Sequence, residues 1–494
     1  YFFSTRETAP ARASTIHSLP GCGAGSRRSP GTLALDDMHP TVLLKLRSGA
    51  APLVHTASPA LSLLLQLRGG GSVAPAAPGA GLALASLLMK NMIGAGIFAL
   101  FTALTSTNTG LLPGLAILAA VAAASTVSFE LLGEATAMSS NGDVTTTELW
   151  QEAVGGGAWL IGAATFLQGF SCLVQFSATC TDLLVPFAPR VSRTMLTLAA
   201  GIALVPLCLA NELSALRYSS AVGLVGVLYS VLFVCWRAAD GSYAAGGRWH
   251  LATRVASPLL RCDWRSLEFV GIMNTACFAH LNVPAYWRAW RQLHPSTVAP
   301  KELLHGFRRV VRLSFALAAL LYALITCAAS RTFGGGADSR LLLLRYAAGD
   351  RGAVLMRAAT LVSVIGGYPL IFQAIRDMAC TRLLRPAASL ASRRALSLAL
   401  LGALVSCALV VDNVAKFMSL RGAFLGALLV YSMPTTIALA SLRKRRSGGG
   451  GGGEGEGEGE GEGEGGPLRR RALLALCVYG VASSIVGTAA VLRG

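Results

Sequence analysis

Charged residues are scarce in this chain of 494 residues: 13%, against roughly 25% in an average soluble protein. With 53% hydrophobic residues and a mean hydropathy of +0.57, that scarcity excludes a string of water-solvated domains. Acids are the scarcer sign, with 24 Asp and Glu against 42 Lys and Arg and a formal charge of +18. Aromatics reach only 7%, and no basic run is interleaved with them as a base-stacking surface requires, so nucleic acid is excluded as a partner. The 11 cysteines form no CxxC or Cys/His cluster and lie mostly inside apolar blocks, which argues against a zinc site or a disulfide framework. No Asn-x-Ser/Thr sequon occurs, and the compartment stays open. An enzyme is also disfavoured: there is no HExxH, no pair of intramembrane acids and no supported Ser/His arrangement.

What the chain does have is apolar blocks of about 20 residues, the length a helix needs to cross a hydrocarbon core of about 30 Å. Eleven such spans are read at roughly 81–104, 112–138, 156–186, 194–211, 217–236, 266–287, 310–330, 352–375, 395–412, 418–441 and 470–492. The fold class is therefore an all-α polytopic membrane protein with the lipid bilayer as its surroundings. Cytoplasmic loops retain Lys and Arg. An inside N-terminus puts the basic runs Arg288 to Arg312, Arg376 to Arg394 and Arg443-Lys444-Arg445-Arg446 on one side, with Cys262 outside.

Two segments stand apart. Residues 1–79 are rich in Ala, Ser, Pro, Gly and Arg with few acids, the bias of a disordered or targeting segment. Because the chain starts at Tyr1, this segment is read as part of a fragment, a processed form or an incomplete gene model. Residues 442–469 join the basic run to a Gly/Glu alternation that carries Glu454 through Glu464. Such a stretch buries no apolar surface and self-repels, so it is read as a disordered linker. The linker separates a ten-helix core, 80–441, from an eleventh helix, 470–494.

Two spans are interrupted. The first carries Lys90 and Asn91 followed by Gly94-Ala95-Gly96. Ionisable and polar groups at membrane depth are costly enough to point to function, and a broken helix is preferred here to a simple small-residue packing face. The sixth carries His280, Asn282 and Pro284, and Pro284 deprives the helix of a bond to the His280 carbonyl. His280 is read either as a packed, hydrogen-bonded residue or as a proton carrier. The interruptions lie five spans apart, the interval at which inverted five-helix repeats place matched broken helices.

In that order the motifs resemble the amino acid/auxin permease family, which includes vacuolar and sodium-coupled neutral amino acid transporters. The first span resembles the family's N-x-x-G-x-G-I/L signature. Thr181-Asp182-Leu183-Leu184 is similar to G-D-L-L, and Pro206-Leu207-Cys208 to the P-L-C turn. His280-Leu281-Asn282-Val283 is similar to C-H-x-N-V, and Tyr368-Pro369-Leu370 with Arg376 to Y-P-L…R. The resemblance covers residues 80 to 441 and implies a LeuT-like core of two inverted five-helix repeats (5+5) plus one helix. It also implies secondary active transport of amino acids, with a neutral substrate and no cofactor beyond H+ or Na+ as coupling ion. The membranes it implies are the plasma membrane or a vacuolar or lysosomal membrane, ahead of a plastid. A receptor-like amino acid sensor of the same fold is the alternative, told apart by saturable binding without flux.

From this follows a candidate site. The substrate α-carboxylate is expected at the N–H groups of Gly94, Ala95 and Gly96, beside Asn91 and Met92, where a half-helix dipole favours an anion. The α-amine is expected at carbonyls freed near Phe278, Ala279 and His280, with Gln175 and Ser363 shaping the side-chain pocket. Lys90 stands where sodium-coupled members usually carry Asn, while Ile365 and Gly367 stand where a hydroxyl often helps hold sodium. Ion coupling is accordingly assigned to Lys90, His280, Thr360 and Ser363, with protons or exchange favoured over sodium. Lys90 either replaces sodium electrostatically or snorkels to the interface.

Overall fold

The computed structural model describes residues 80–94, 96–139, 144–209, 216–244, 246–249, 258–335, 340–385, 388–448 and 465–493. The 1–79 segment, Ala95 and the Gly/Glu stretch 449–464 lie outside the described residues.

The chain runs as a succession of helices. The first span is a pair, α1 (Ala80–Met92) and α2 (Ile97–Ser106), bent by 42°. Span two is α3 (Leu111–Ala137), followed by a short connecting helix, α4 (Thr146–Val154). Spans three to five are α5 (Ala158–Leu184), α6 (Arg193–Leu209) and α7 (Leu216–Asp240). The sixth is again a pair, α8 (Ser266–Ala276) and α9 (Val283–Gln292). Spans seven to nine are α10 (Pro300–Phe333), α12 (Arg351–Leu383) and α13 (Leu390–Val410), with one turn, α11 (Leu342–Arg345), between the first two. Span ten runs from α14 (Val414–Arg421) through two π-helical turns into α15 (Met433–Gly448), and α16 (Gly465–Arg493) is the eleventh. Seven of these helices are long and apolar enough to cross a membrane, and the bent α1–α2 pair makes an eighth. The α6, α7 and α8–α9 segments occupy the remaining three positions read from hydropathy.

Helix ends differ from the apolar blocks where amphipathic residues extend a helix past the hydrocarbon. Span seven starts at Pro300, ten residues before the apolar block, because Pro pre-sets the first turn of a helix and Glu302 favours that turn's dipole. The basic residues after 441 continue α15 to Gly448, and α16 already begins at Gly465, so the helices reach into the segment read as linker. The α4 helix was not legible as a span. It starts at a capping box in which Thr145 and Glu148 satisfy each other's backbone N–H groups.

Most buried apolar residues fall into two cores, with a third small cluster of Ala427, Val430 and Tyr431 in span ten. The larger joins spans one, two, six and seven through Phe98, Phe129, Phe269, Phe307 and Phe315. The second joins spans three, four, eight and nine through Leu173, Leu204, Phe372 and Leu404. The eleventh helix packs along spans six and ten at Gly480 and Gly487, whose missing side chains let the backbones approach. Its other face leaves Val478 and Ile485 exposed, as a lipid-facing surface would be.

Ion pairs close the two ends. At one end Glu134 accepts from Arg308 (2.7 Å) and Arg469 (2.9 Å), and Glu130 from Arg312 (2.6 Å). At the other, Asp182 pairs with Arg193 at 3.0 Å, and the buried Asp350 accepts from Arg237 (2.8 Å) and the Tyr243 hydroxyl (3.1 Å). Both glutamates and Asp182 are thus helix-end charges with local partners.

Candidate functional site

Both interruptions exist, and they face each other. In span one, helical bonding ends with the Ile93 N–H, which still reaches the Met89 carbonyl (2.6 Å). The Gly94 N–H turns back to the Met92 carbonyl (3.0 Å), and the Ile97 N–H reaches the Gly94 carbonyl (3.2 Å). Glycine tolerates such a turn and is a weak helix former. A Cβ on Gly94 would meet nothing within 4 Å, whereas one on Gly96 would sit 3.2 Å from Met418 Cε. Gly94 therefore borders open space, and Gly96 packs against span ten.

The sixth span breaks earlier than the proline implied. Helix α8 stops at Ala276, residues 277–279 are non-helical, and His280–Asn282 form a single 3-10 turn. Pro284 lies in the first turn of α9, where a missing N–H has no helical partner to lose. The Val283 N–H still bonds the His280 carbonyl. The proline restarts the helix, and the interruption lies upstream of it.

Tyr322 on span seven joins the two breaks. Its fully buried hydroxyl lies 2.9 Å from the Met92 carbonyl and 2.9 Å from the Ala276 carbonyl. A hydroxyl has one proton, so it donates to one of these break carbonyls at a time. Asn91 and Asn282, one from each interrupted span, both interact with the Tyr286 hydroxyl.

Beside the breaks is a cavity of about 170 Å³, more than ten times the roughly 10–15 Å³ that one water needs. It lies between the two hydrophobic cores. Asn91, Met92, Gly94, Gly96, Thr275, Phe278 and Asn282 form one wall, from spans one and six. Thr165, Gln168, Gly169, Cys172, Gln175 and Phe176 of span three face them, with Ile371 and Ile375 of span eight and Met418 and Arg421 of span ten. Spans three and eight meet closely here, since a Cβ on Gly169 would sit 2.6 Å from Ile375 Cγ2.

Of the residues read from sequence as the substrate site, Asn91, Met92, Gly94, Gly96, Gln175 and Phe278 line this cavity. Ala95 is outside the described residues. Ala279, His280 and Ser363 are not on the cavity wall. His280 is fully buried among Phe129, Phe278 and Phe315, and its Nε2 lies 2.8 Å from Ser128 Oγ and 3.1 Å from the Ser125 carbonyl of span two. Ser363 faces span five, where a Cβ on Gly223 would come within 2.7 Å of its Oγ. Thr360 lies on the same side of span eight and donates to the Met356 carbonyl at 2.9 Å, with Ser230 of span five 3.4 Å away. Lys90 is half-buried in the last turn of α1, off the cavity wall. The ion-coupling set is therefore spread over three separate places.

Sequence reasoning missed Gln168, Asn282 as a wall residue, and Arg421. The signal for Arg421 was present, because an arginine within the apolar block read as span ten is an ionisable group at membrane depth.

A family model described as transmembrane amino acid transporter protein matches residues 82–449. Among solved structures, the inward-facing conformation of Mhp1 is similar, with a TM-score of 0.55 and 13% identity over 84% of this chain and 88% of that one. That likeness shows the LeuT-like fold. A mutant of the Eremococcus coleocola manganese transporter aligns over 86% of this chain and 98% of that one, at 13% identity and a TM-score of 0.47. Among curated proteins, none matches the chain.

Proposed function

The chain belongs to the transmembrane amino acid transporter family and is a multi-pass secondary transporter rather than an enzyme; we propose that it carries amino acids by alternating access, driven by protons or by exchange rather than by sodium. The single observation that carries this reading is the meeting of two interrupted helices, five spans apart, at one cavity. Rocking of one helix bundle against the other would expose the cavity to either side in turn. The α-carboxylate is assigned to the span-one break, where α2 begins and its half-helix dipole favours an anion. The α-amine is assigned to the span-six break, whose carbonyls near Phe278 have left the helical ladder. Gly94 borders the open space of the cavity, so the backbone there is accessible to the substrate. The neutral class rests on the family resemblance alone, as does residence in the plasma membrane or a vacuolar or lysosomal membrane.

Sodium is disfavoured because Ile365 and Gly367 stand where a hydroxyl often helps hold it, and the nearby hydroxyls of Thr360 and Ser363 face span five rather than the span-one break. The test is uptake of a labelled amino acid mixture into liposomes holding the purified protein, under separate proton and sodium gradients. Proton-driven or exchange uptake is the expected result. Sodium-driven uptake overturns the coupling assignment, and saturable binding without flux in any arrangement replaces the transporter with a sensor of the same fold. Lys90→Asn is expected to change the ion dependence; an unchanged dependence removes Lys90 from ion coupling.

A further inference from the structure

Among the described residues, Arg421 is the one charged side chain on the cavity wall. It is the last residue of α14 and only 8% exposed. Its Nε has no hydrogen-bond partner, and no carboxylate among the described residues pairs with its guanidinium. Two amides from span three share the wall with it, and Gln168 Oε1 and Gln175 Oε1 are also buried without partners. Buried polar groups are ordinarily satisfied, so a guanidinium donor, two amide acceptors and the Thr165 hydroxyl left open around one cavity describe a surface shaped for a polar ligand.

Charge balance selects among ligands. A guanidinium shut into a closing cavity must meet an opposite charge or leave its desolvation uncompensated. A neutral zwitterion does not supply that charge, because its carboxylate and ammonium already oppose each other across the two helix breaks. It would leave one net positive charge enclosed. A cationic side chain would double it, with no Asp or Glu on the wall to compensate. A second carboxylate brings the cavity to neutrality, and the planar fork of arginine matches a carboxylate through two parallel hydrogen bonds.

We infer that the cavity is selective for acidic amino acids, with the side-chain carboxylate seated on Arg421 and the ammonium held between the span-six break and the open oxygens of Gln168 and Gln175 on the facing wall. This rests on the amino acid transport reading above and replaces the neutral substrate class implied by resemblance with an acidic one.

The decisive comparison is L-glutamate against L-glutamine, which share a shape and differ in charge, using the purified full-length protein in liposomes. Glutamate uptake or binding is expected to exceed that of glutamine by roughly tenfold or more, as for a site whose buried polar groups go unpaired with the wrong ligand. Arg421→Gln is expected to erase or reverse that ratio, and Arg421→Lys to keep its direction at reduced size. Wild-type flux that favours glutamine equally or better overturns the inference and leaves transport standing. So does chloride-dependent neutral uptake that Arg421→Gln makes chloride-independent, since Arg421 would then hold an inorganic anion. Absence of both flux and binding for every amino acid overturns the transport reading as well. If the variants fail to express, the wild-type ratio alone decides.

Discussion

Removing the Tyr322 hydroxyl tests whether the two helix breaks are held as one unit. The hydroxyl is fully buried on span seven and lies 2.9 Å from a carbonyl of each interrupted span. Tyr322→Phe keeps the ring and deletes only the donor. The Met92 carbonyl retains the Gly94 N–H at 3.0 Å, so the loss falls mainly on the Ala276 carbonyl, at the end of α8. An unsatisfied buried acceptor costs about 1–3 kcal/mol, against about 0.5–1.5 kcal/mol for a hydrogen bond exchanged with water. A loss of about 1–3 kcal/mol is therefore expected, read as a fall of a few degrees in the apparent melting temperature of the detergent-purified protein. Transport should fall more steeply than stability, because the same proton ties the orientation of one half-helix pair to the other. The assay pairs thermal melting with initial uptake rates at matched protein content. A variant with both unchanged would refute the idea that Tyr322 couples the breaks. Lowered stability with normal uptake would make it an ordinary packing residue.

Two further predictions concern other parts of the molecule. Gly94→Ala is expected to fold and transport, since its Cβ enters open space, while Gly94→Leu fills the cavity and abolishes uptake with normal thermal stability; equal uptake by both variants would move the substrate elsewhere. Asp350 lies outside the spans as the cap of α12, and burial raises its carboxyl pKa. Hydrogen bonds from Arg237 and Tyr243, with the Arg237 charge, outweigh that effect and hold it below its ordinary value. A depressed folded pKa gives stability that is present above the unfolded value of about 3.9 and is lost as pH falls through the folded value. Wild-type melting temperature should thus drop below about pH 4 more steeply than that of Asp350→Asn, which is destabilised already at neutral pH; parallel curves would show the pair contributes nothing.

The positions of the spans and of both breaks were legible because hydropathy and backbone permissiveness are local properties. Blocks of apolar residues mark where a chain can sit in hydrocarbon, and Gly94 with Gly96 marks where it can leave the helix. The location of the second break was less so. Pro284 signals an irregularity, but a proline opens a helix as readily as it ends one, and only the packing of His280 against Ser125 and Ser128 shows which applies. Six of the residues read as a substrate site line one cavity. Ser363 and Thr360 do not, because a helix places residues three apart on one side without saying which neighbour that side faces. Arg421 was hidden by its position near the start of a span, where a basic residue ordinarily reads as an interfacial anchor.

Composition and periodicity alone were enough to establish a membrane-spanning helical chain with two matched interruptions, since the bilayer imposes length, polarity and hydrogen-bond satisfaction residue by residue. Neighbour relations across long sequence separations came from packing instead. The division into two cores, the Tyr322 hydroxyl shared between breaks 230 and 46 residues away, and an arginine facing span-three amides across an open cavity all depend on which helix faces which. Hydropathy carries no such information, because lipid and a neighbouring helix are equally apolar surroundings.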